Sequence, residues 1–257
     1  MLRSLIFLFA FFPSLYALQL NRVILSTDSN PLYLEFWPVI APLWEKMGFI
    51  PTLALIAEED CPIDTTLGEV IRFAPLPGIP TSLQAQSIRL LLPVLFPDDG
   101  CLISDIDMIP ISGSYFHHWA IGCPDEAFLV YRDNAEGCPG VRYPMCYVAA
   151  KGRTFASLFS VQSPMQIPEI IKEWSGLGFG WNTDELVLYS LTKEWERNGG
   201  ELVCLGHKVE GRLDRGNWNI DFQALDISKY IDCHCPRPYS ANQDSIDRIV
   251  EAIWKIQ

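Results

Sequence analysis

The sequence predicts an α/β fold with a mostly parallel central sheet, flanking helices and a less regular second half. Short apolar runs alternate with stretches of helical periodicity through the first half of the chain. These runs are apolar at successive residues, as in strands that are covered on both faces. The 257 residues, of which 49% are hydrophobic, suffice for one large α/β domain, which we predict to span residues 18–257.

The first half supplies the strand–helix alternation. Its predicted strands cover residues 22–26, 52–56, 69–74 and 101–104. Its predicted helices cover residues 33–47, which Gly48 terminates, and residues 84–95. In such sheets ligands bind beyond the carboxyl ends of the strands. Asp28 and Asp105 each follow a predicted strand and are therefore placed at that edge.

The second half is less regular. Strands are predicted at residues 127–131, 145–149 and 201–205. A helix is predicted at residues 183–197, with Asn182 or Thr183 as its cap. A closing helix is predicted at residues 245–256, and its buried face carries Ile246, Ile249, Val250, Ile253 and Trp254.

Residues 1–17 have the pattern of a signal peptide. Arg3 precedes an apolar stretch over residues 4–12, and Ala17 supplies a small residue for cleavage. The segment is short for a membrane span and contains Pro13. We therefore predict a secreted or secretory-pathway protein that keeps no stable membrane span after cleavage. A short membrane anchor and a buried N-terminal segment are the alternatives.

The charge of the chain limits its partners. A formal net charge of −12 disfavours binding to nucleic acid, whose phosphates it repels. A phosphorylated ligand would need a local cation or well-placed arginines.

The eight cysteines are an even number, which fits disulfides in the secretory pathway. Cys101 and Cys204 lie in apolar runs and are alternatively buried thiols. The Cys233-His234-Cys235 segment lacks the second cysteine pair of a zinc site.

The segment CLISDIDMIP is the most informative motif. Its apolar strand delivers Asp105 and Asp107 into the crevice, where two carboxylates are costly unless a cation or hydrogen bonds satisfy them. A hard divalent cation takes oxygen ligands and binds substrate phosphates at its remaining positions. Because alternate strand residues face opposite ways, both aspartates reach one ion only if the backbone turns there. The alternative is an ordinary strand-end turn with exposed acids.

With Thr27-Asp28 after the first strand and Arg89 in a helix, this segment resembles the nucleotide-sugar glycosyltransferases of the GT-A fold. The family's DxD signature corresponds to Asp105-Ile106-Asp107. The resemblance implies that the aspartates hold Mn²⁺ or Mg²⁺ on the donor diphosphate and that Ser26, Thr27 and Asp28 contact its base and ribose. It places Arg89 against the nucleotide, although a solvent-facing arginine is the alternative.

Many members of the family supply a late histidine as a third metal ligand. His234 is the best candidate, and His207 is its competitor. Arg212 and Arg215 flank Asp214 in a glycine-bounded segment that we predict to be a loop. They fit a diphosphate cradle, and a local surface ion pair is the alternative.

GT-A enzymes also place a carboxylate at a helix start beside the acceptor. Asp184 is the first candidate for this catalytic group and Glu185 the second. The alternative interpretation is that both acids lie at this helix start only because the helix dipole favours negative charge there.

The resemblance implies a metal-dependent transfer of sugar from a UDP- or GDP-linked donor to an acceptor hydroxyl on a glycan, protein or lipid. A haloacid-dehalogenase-like phosphatase and an inactive secreted carbohydrate-binding domain are the alternatives.

Overall fold

The computed structural model describes residues 17–135, 138–139, 141–206, 211–218, 220–222 and 224–256. Most of its strands belong to two sheets. They are β1 (Arg22–Asp28), β2 (Ile50–Ile56), β3 (Glu69–Phe73), β4 (Gly100–Ile103), β5 (Met108–Pro110), β6 (Phe128–Val130), β7 (Asn134–Ala135), β8 (Cys138–Pro139), β9 (Val148–Lys151), β10 (Leu202–Cys204), β11 (Arg212–Asp214) and β12 (Asp232–His234).

Eight α-helices lie within the described ranges. They are α1 (Pro31–Leu34), α2 (Trp37–Lys46), α3 (Thr81–Leu91), α4 (Gly113–Ile121), α5 (Gly152–Leu158), α6 (Ile167–Ser175), α7 (Thr183–Arg197) and α8 (Tyr239–Lys255). None of the helices in the described part of the chain has the length and apolar character needed to cross a membrane.

The main sheet has seven strands in the order β10-β6-β9-β4-β1-β2-β3. Every neighbouring pair in it is parallel except the two that involve β9. The predicted α/β class with a mostly parallel central sheet is therefore confirmed. A smaller sheet has the order β11-β12-β5, and β7 pairs with β8.

Alternate residues of the central strands pack in two separate cores, one on each face of the main sheet. Val23 and Leu25 of β1 pack in the core that includes α2, α4 and α8, whereas Ile24 packs in the core that includes α3, α5, α6 and α7. This alternation is the period of an extended strand. Because both faces are covered, the strands must be apolar at successive residues, as the sequence indicated.

Proline explains the main differences from the predicted helices. The helix predicted at residues 33–47 is two helices, and the second carries Pro38 in its first turn, where a missing N–H is tolerated. The helix predicted at residues 84–95 begins at Thr81 and becomes a 3₁₀-helix over Leu92–Leu95, where Pro93 removes a donor.

Other boundaries also differ. The closing helix begins at Tyr239, and Trp254 is half-exposed beneath Lys46 rather than buried. Asn182 precedes α7 but its side chain makes no capping hydrogen bond. Arg212 and Asp214 belong to a short strand, where a loop was predicted, because β11 pairs with β12.

The cysteine side chains that are described are free thiols. Cys101 is buried, as one alternative held, but Cys204 is exposed because it ends the edge strand β10. Cys233 and Cys235 are buried in the core beside α8. The side chain of Cys138 lies outside the described part of the chain. Residues 1–16 of the predicted signal peptide also lie outside it, so the signal peptide stays a prediction.

Candidate functional site

A cleft opens at the carboxyl ends of β1 and β4. These strands are parallel neighbours in the middle of the main sheet, so the residues that follow them meet at one edge. The cleft consists of two adjoining cavities that share Tyr33, Gln86, Arg89, Asp105, Asp107 and Trp181. The first cavity, which we call the β1 cavity, also contains Ser26, Thr27 and Asp28. The second, which we call the arginine cavity, has a volume of about 310 Å³.

The backbone turns between the two aspartates, as a shared site requires. β4 ends at Ile103, and the Met108 amide donates to the Asp105 carbonyl at 3.3 Å before β5 continues. The Asp105 carboxylate pairs with Arg89, whereas the Asp107 carboxylate faces the small sheet. Both aspartates line the arginine cavity, but they contact different cations.

The small sheet brings His234 to Asp107. β12 runs antiparallel to β5, and His234 stands opposite Met108, the residue after Asp107. The Cys235 amide donates to the Asp107 carbonyl at 2.9 Å, and His234 Nε2 lies 3.5 Å from Asp107 Oδ2. Strand pairing therefore brings together Asp107 and His234, which are 127 positions apart in the sequence. His207, the competing histidine, lies outside the described residues.

Two arginines contact the same Asp107 oxygen. Arg215 Nη1 lies 3.1 Å from Oδ2, and Arg237 Nε lies 3.4 Å from it. Arg212 approaches from β11, with its Nη2 3.2 Å from His234 Nδ1 and its Nε 3.3 Å from Asp214 Oδ2. The local ion pair with Asp214 therefore forms, but Arg212 and Arg215 both line the arginine cavity as well.

Arg89 is buried at the floor of the cleft, which excludes the solvent-facing alternative. Its Nη1 donates to Asp105 and its Nη2 donates to Asp184 Oδ2 at 2.8 Å. Burial favours protonation of Asp105, but the charge and hydrogen bond of Arg89 outweigh it and hold the pKa of Asp105 below its ordinary value.

Asp184 is more deeply buried than Asp105. Burial therefore dominates and raises the pKa of Asp184, despite Arg89, and the charge of Asp105 adds to the effect. Its Oδ1 accepts from the Glu185 amide at 2.9 Å, so both carboxylate oxygens are occupied.

Glu185 is the more accessible carboxylate at the start of α7. Its Oε2 lies 3.2 Å from Arg142 Nη1. Burial raises the pKa of Glu185 to about 7, and the charge of Asp184 contributes while Arg142 opposes it. A carboxyl that titrates near neutral pH is suited to acid–base chemistry.

The loop after β1 is tied to the start of α3. Thr81 Oγ1 donates to Asp28 Oδ2 at 2.7 Å, and the Asn30 amide donates to Asp28 Oδ1 at 3.1 Å. Asp28 thereby holds the loop in place, while Ser26 and Thr27 line the β1 cavity beside it.

Across the described ranges, the structure holds no group of three or more His, Cys, Asp and Glu side chains arranged to bind a metal ion. Asp107 and His234 form a pair of possible ligands, and Asp105 is engaged by Arg89.

Sequence reasoning missed Tyr33, Gln86 and Arg237. Arg237 donates to the Tyr33 hydroxyl and lies over its ring, with the guanidinium carbon 4.6 Å from the centroid. A signal for Arg237 existed, because it directly follows the His234 segment between two prolines. Tyr33 and Gln86 gave no signal beyond ordinary helix positions.

Comparison with solved structures decides the fold. A galactosyltransferase, LgtC, determined in complex with donor and acceptor sugar analogues, superposes with a TM-score of 0.51 and 13% sequence identity, over 91% of this chain and 95% of that chain. The fold is GT-A-like. No protein-family model matches the chain, and no curated protein matches it in sequence. At this identity the likeness concerns the fold alone.

Proposed function

We propose that the chain is a divalent-metal-dependent glycosyltransferase that moves a sugar from a UDP- or GDP-linked donor to an acceptor hydroxyl. The observation that carries this proposal is the meeting of His234, Arg215 and Arg237 on one oxygen of Asp107, at the carboxyl ends of the central strands. An acidic chain that gathers two guanidinium groups and an imidazole at a single carboxylate has a place for a diphosphate and its counter-ion.

The donor would lie across both cavities. Ser26, Thr27 and Asp28 would contact the base and ribose in the β1 cavity. Arg212, Arg215 and Arg237 would donate to the diphosphate in the arginine cavity, since guanidinium groups bind phosphate oxygens through paired hydrogen bonds. Arg89, fixed by Asp105 and Asp184, would keep a positive charge at the floor between them.

Asp107 and His234, with Asp105, would hold Mn²⁺ or Mg²⁺. Their atoms fit such an ion, since carboxylate oxygen suits both metals and imidazole suits manganese. The donor phosphates and water would fill the remaining positions, so a three-residue protein cluster is not required beforehand. When bound, the ion supplies Lewis-acid stabilisation of the departing diphosphate.

Glu185 is the better candidate for the acceptor-side carboxylate. Both oxygens of Asp184 are used in positioning Arg89 and Glu185, whereas Glu185 lines the cavity with a pKa of about 7. In an inverting reaction, ionised Glu185 would take the proton of the acceptor hydroxyl. In a retaining reaction, it would stabilise the positive sugar centre.

A calorimetric titration tests the proposal. The purified protein is expected to bind either UDP or GDP in the presence of Mn²⁺, and about 100-fold more weakly after chelation, a difference of about 2.8 kcal/mol. The metal-free control uses the same protein with EDTA. Absence of nucleotide binding under both conditions would contradict the proposal. Release of phosphate from p-nitrophenyl phosphate would instead favour the phosphatase, and nucleotide binding without donor hydrolysis or transfer would favour an inactive domain.

A pH profile tests Glu185. Because the base must be ionised, the rate is expected to rise with pH through about 7, the pKa of Glu185. Glu185→Gln should lower kcat about 100-fold or more and remove this inflection, while nucleotide affinity changes little. A variant that keeps the inflection would exclude Glu185.

The raised pKa of Glu185 also predicts how the stability of the fold depends on pH. A carboxyl with a raised folded-state pKa stabilises the fold when protonated, and this contribution is lost as pH rises from about 4.5 through about 7. Urea unfolding should therefore show Glu185→Gln gaining up to about 3 kcal/mol relative to the wild type between pH 4 and pH 8. Glutamine keeps the size of the side chain beside Arg142 while removing its titratable charge.

A further inference from the structure

The ring of His234 has a charged neighbour at each of its two nitrogens. Nε2 lies 3.5 Å from Asp107 Oδ2, whereas Nδ1 lies 3.2 Å from Arg212 Nη2. A second carboxylate stands on the Nδ1 side, where Asp214 Oδ2 lies 3.7 Å away. The strand register explains this placement, because β11 and β12 pair in parallel with Asp214 opposite His234. Since the His234 side chain is only 15% exposed, these neighbours largely decide which nitrogen carries the proton.

The contact with Arg212 assigns the tautomer of His234. A guanidinium group only donates hydrogen bonds, whereas a neutral imidazole has one N–H and one lone pair. Because Nδ1 accepts from Arg212 Nη2, it is the nitrogen with the lone pair, and the proton lies on Nε2, on the side of Asp107. A metal ion binds the lone pair of a ring nitrogen, so this tautomer does not ligate through Nε2.

Asp214 provides the hydrogen-bond acceptor that the other tautomer needs. Its Oδ1 accepts from the Gly216 amide at 3.1 Å, which fixes the carboxylate at the start of the 3₁₀ turn Arg215–Asn217. Its Oδ2 lies 3.3 Å from Arg212 Nε and faces His234 on its other side. Histidines that ligate metals commonly donate their second N–H to a carboxylate, which fixes the tautomer.

We propose that Asp214 is a positioning residue that makes His234 a metal ligand, by accepting a hydrogen bond from Nδ1 after Arg212 has left that nitrogen. This role rests on the proposed function for the identity of the ion and for the diphosphate that Arg212 turns to in the arginine cavity. The change moves one proton from Nε2 to Nδ1 of a neutral ring, so the net charge stays the same. Without the donor, the metal and Arg212 compete for His234. With the donor bound, the diphosphate takes up Arg212 and the competition ends.

Two-bond ¹H–¹⁵N NMR spectra of the histidine rings test the assigned tautomer. They are recorded on the full, metal-free chain at about pH 8, where an ordinary histidine is neutral, and His234→Gln identifies the His234 signals. Nε2 is expected to be protonated and Nδ1 to carry the lone pair. A proton on Nδ1 in the metal-free protein would overturn the inference.

Two variants of Asp214 test its positioning role by titration with Mn²⁺ alone, with the free ion measured by electron paramagnetic resonance. Asp214→Asn should weaken Mn²⁺ binding by about 10- to 100-fold. Its oxygen keeps the Gly216 amide, so its NH₂ group faces Nδ1 and holds the proton on Nε2. Asp214→Ala removes the same charge and also the cap on Gly216, but it places no donor at Nδ1. It should therefore bind Mn²⁺ more tightly than Asp214→Asn, the reverse of the order that a purely structural role predicts.

Asp226→Asn is the matched control, because Asp226 likewise accepts from a backbone amide at the start of a 3₁₀ turn, Ile227–Lys229, and does not line the cleft. It should keep the wild-type affinity for Mn²⁺. Equal losses in the two Asp214 variants, or an Asp214→Asn affinity within threefold of the wild type, would remove the inference and leave the proposed function. Absence of Mn²⁺ binding by the wild type, both alone and with UDP or GDP, would contradict the metal site of the proposed function itself.

Discussion

Asp107→Asn is expected to weaken Mn²⁺-dependent nucleotide binding by at least about 100-fold, or about 2.8 kcal/mol. Asp107 is the carboxylate on which His234, Arg215 and Arg237 converge, and asparagine keeps its size while removing its charge. The loss of an anionic ligand lowers the affinity for the metal. The arginines that it held are released at the same time, so metal-free nucleotide binding should tighten a few-fold. Titrations with and without Mn²⁺ measure both effects.

The opposite signs of the two effects separate this role from a general loss of structure. Asp98→Asn is the matched control, because it removes the same charge before β4 rather than after it, at the other end of the strand. It should change neither titration. If Asp107→Asn left Mn²⁺-dependent binding within threefold of the wild type, the proposed metal site would be wrong.

The second large effect concerns the ion pair between Arg132 and Asp232. Arg132 follows β6 of the main sheet, and Asp232 begins β12 of the small sheet, so the pair connects the two sheets. Both side chains are almost fully buried. Arg132 Nη1 also contacts Cys146 Sγ at 3.2 Å, and its guanidinium lies 5.2 Å from the centre of the Tyr147 ring.

Arg132→Met is expected to lower the free energy of unfolding by about 3 kcal/mol, because it leaves the buried Asp232 carboxylate with only the more distant guanidinium of Arg212, whose Nε lies 3.7 Å from Asp232 Oδ1. Urea denaturation measures the change. The double variant Arg132→Met/Asp232→Leu should recover much of the loss, since an apolar pair of similar volume replaces the buried charges. A single variant within 1 kcal/mol of the wild type would show that water or another cation compensates Asp232.

The sequence was sufficient for local features of the site. The strand that ends at Ile103 and the position of the two aspartates after it were predicted from the sequence alone. An apolar run followed by acids is typical of a buried strand that ends at the edge of a sheet. Asp28 was placed at the same edge for the same reason. Arg89 was identified as a helix residue, but its burial between Asp105 and Asp184 required the packing of α3 against β1 and α7.

Contacts between distant segments could not be predicted in this way. Arg237 and Tyr33 are 204 residues apart and meet because the segment after β12 reaches the start of the first helices. The different roles of Asp184 and Glu185 depend on burial, which adjacent residues at a helix start do not reveal.

The sequence by itself determined the α/β class, the succession of strands and helices along the first half of the chain, and the two aspartates that follow β4. Each of these follows from local periodicity and residue chemistry. Only the tertiary structure decided which arginines contact Asp107 and which of Asp184 and Glu185 stays accessible. The physical reason is that strand pairing and helix packing join residues more than 100 positions apart, and no local pattern encodes which of them will meet.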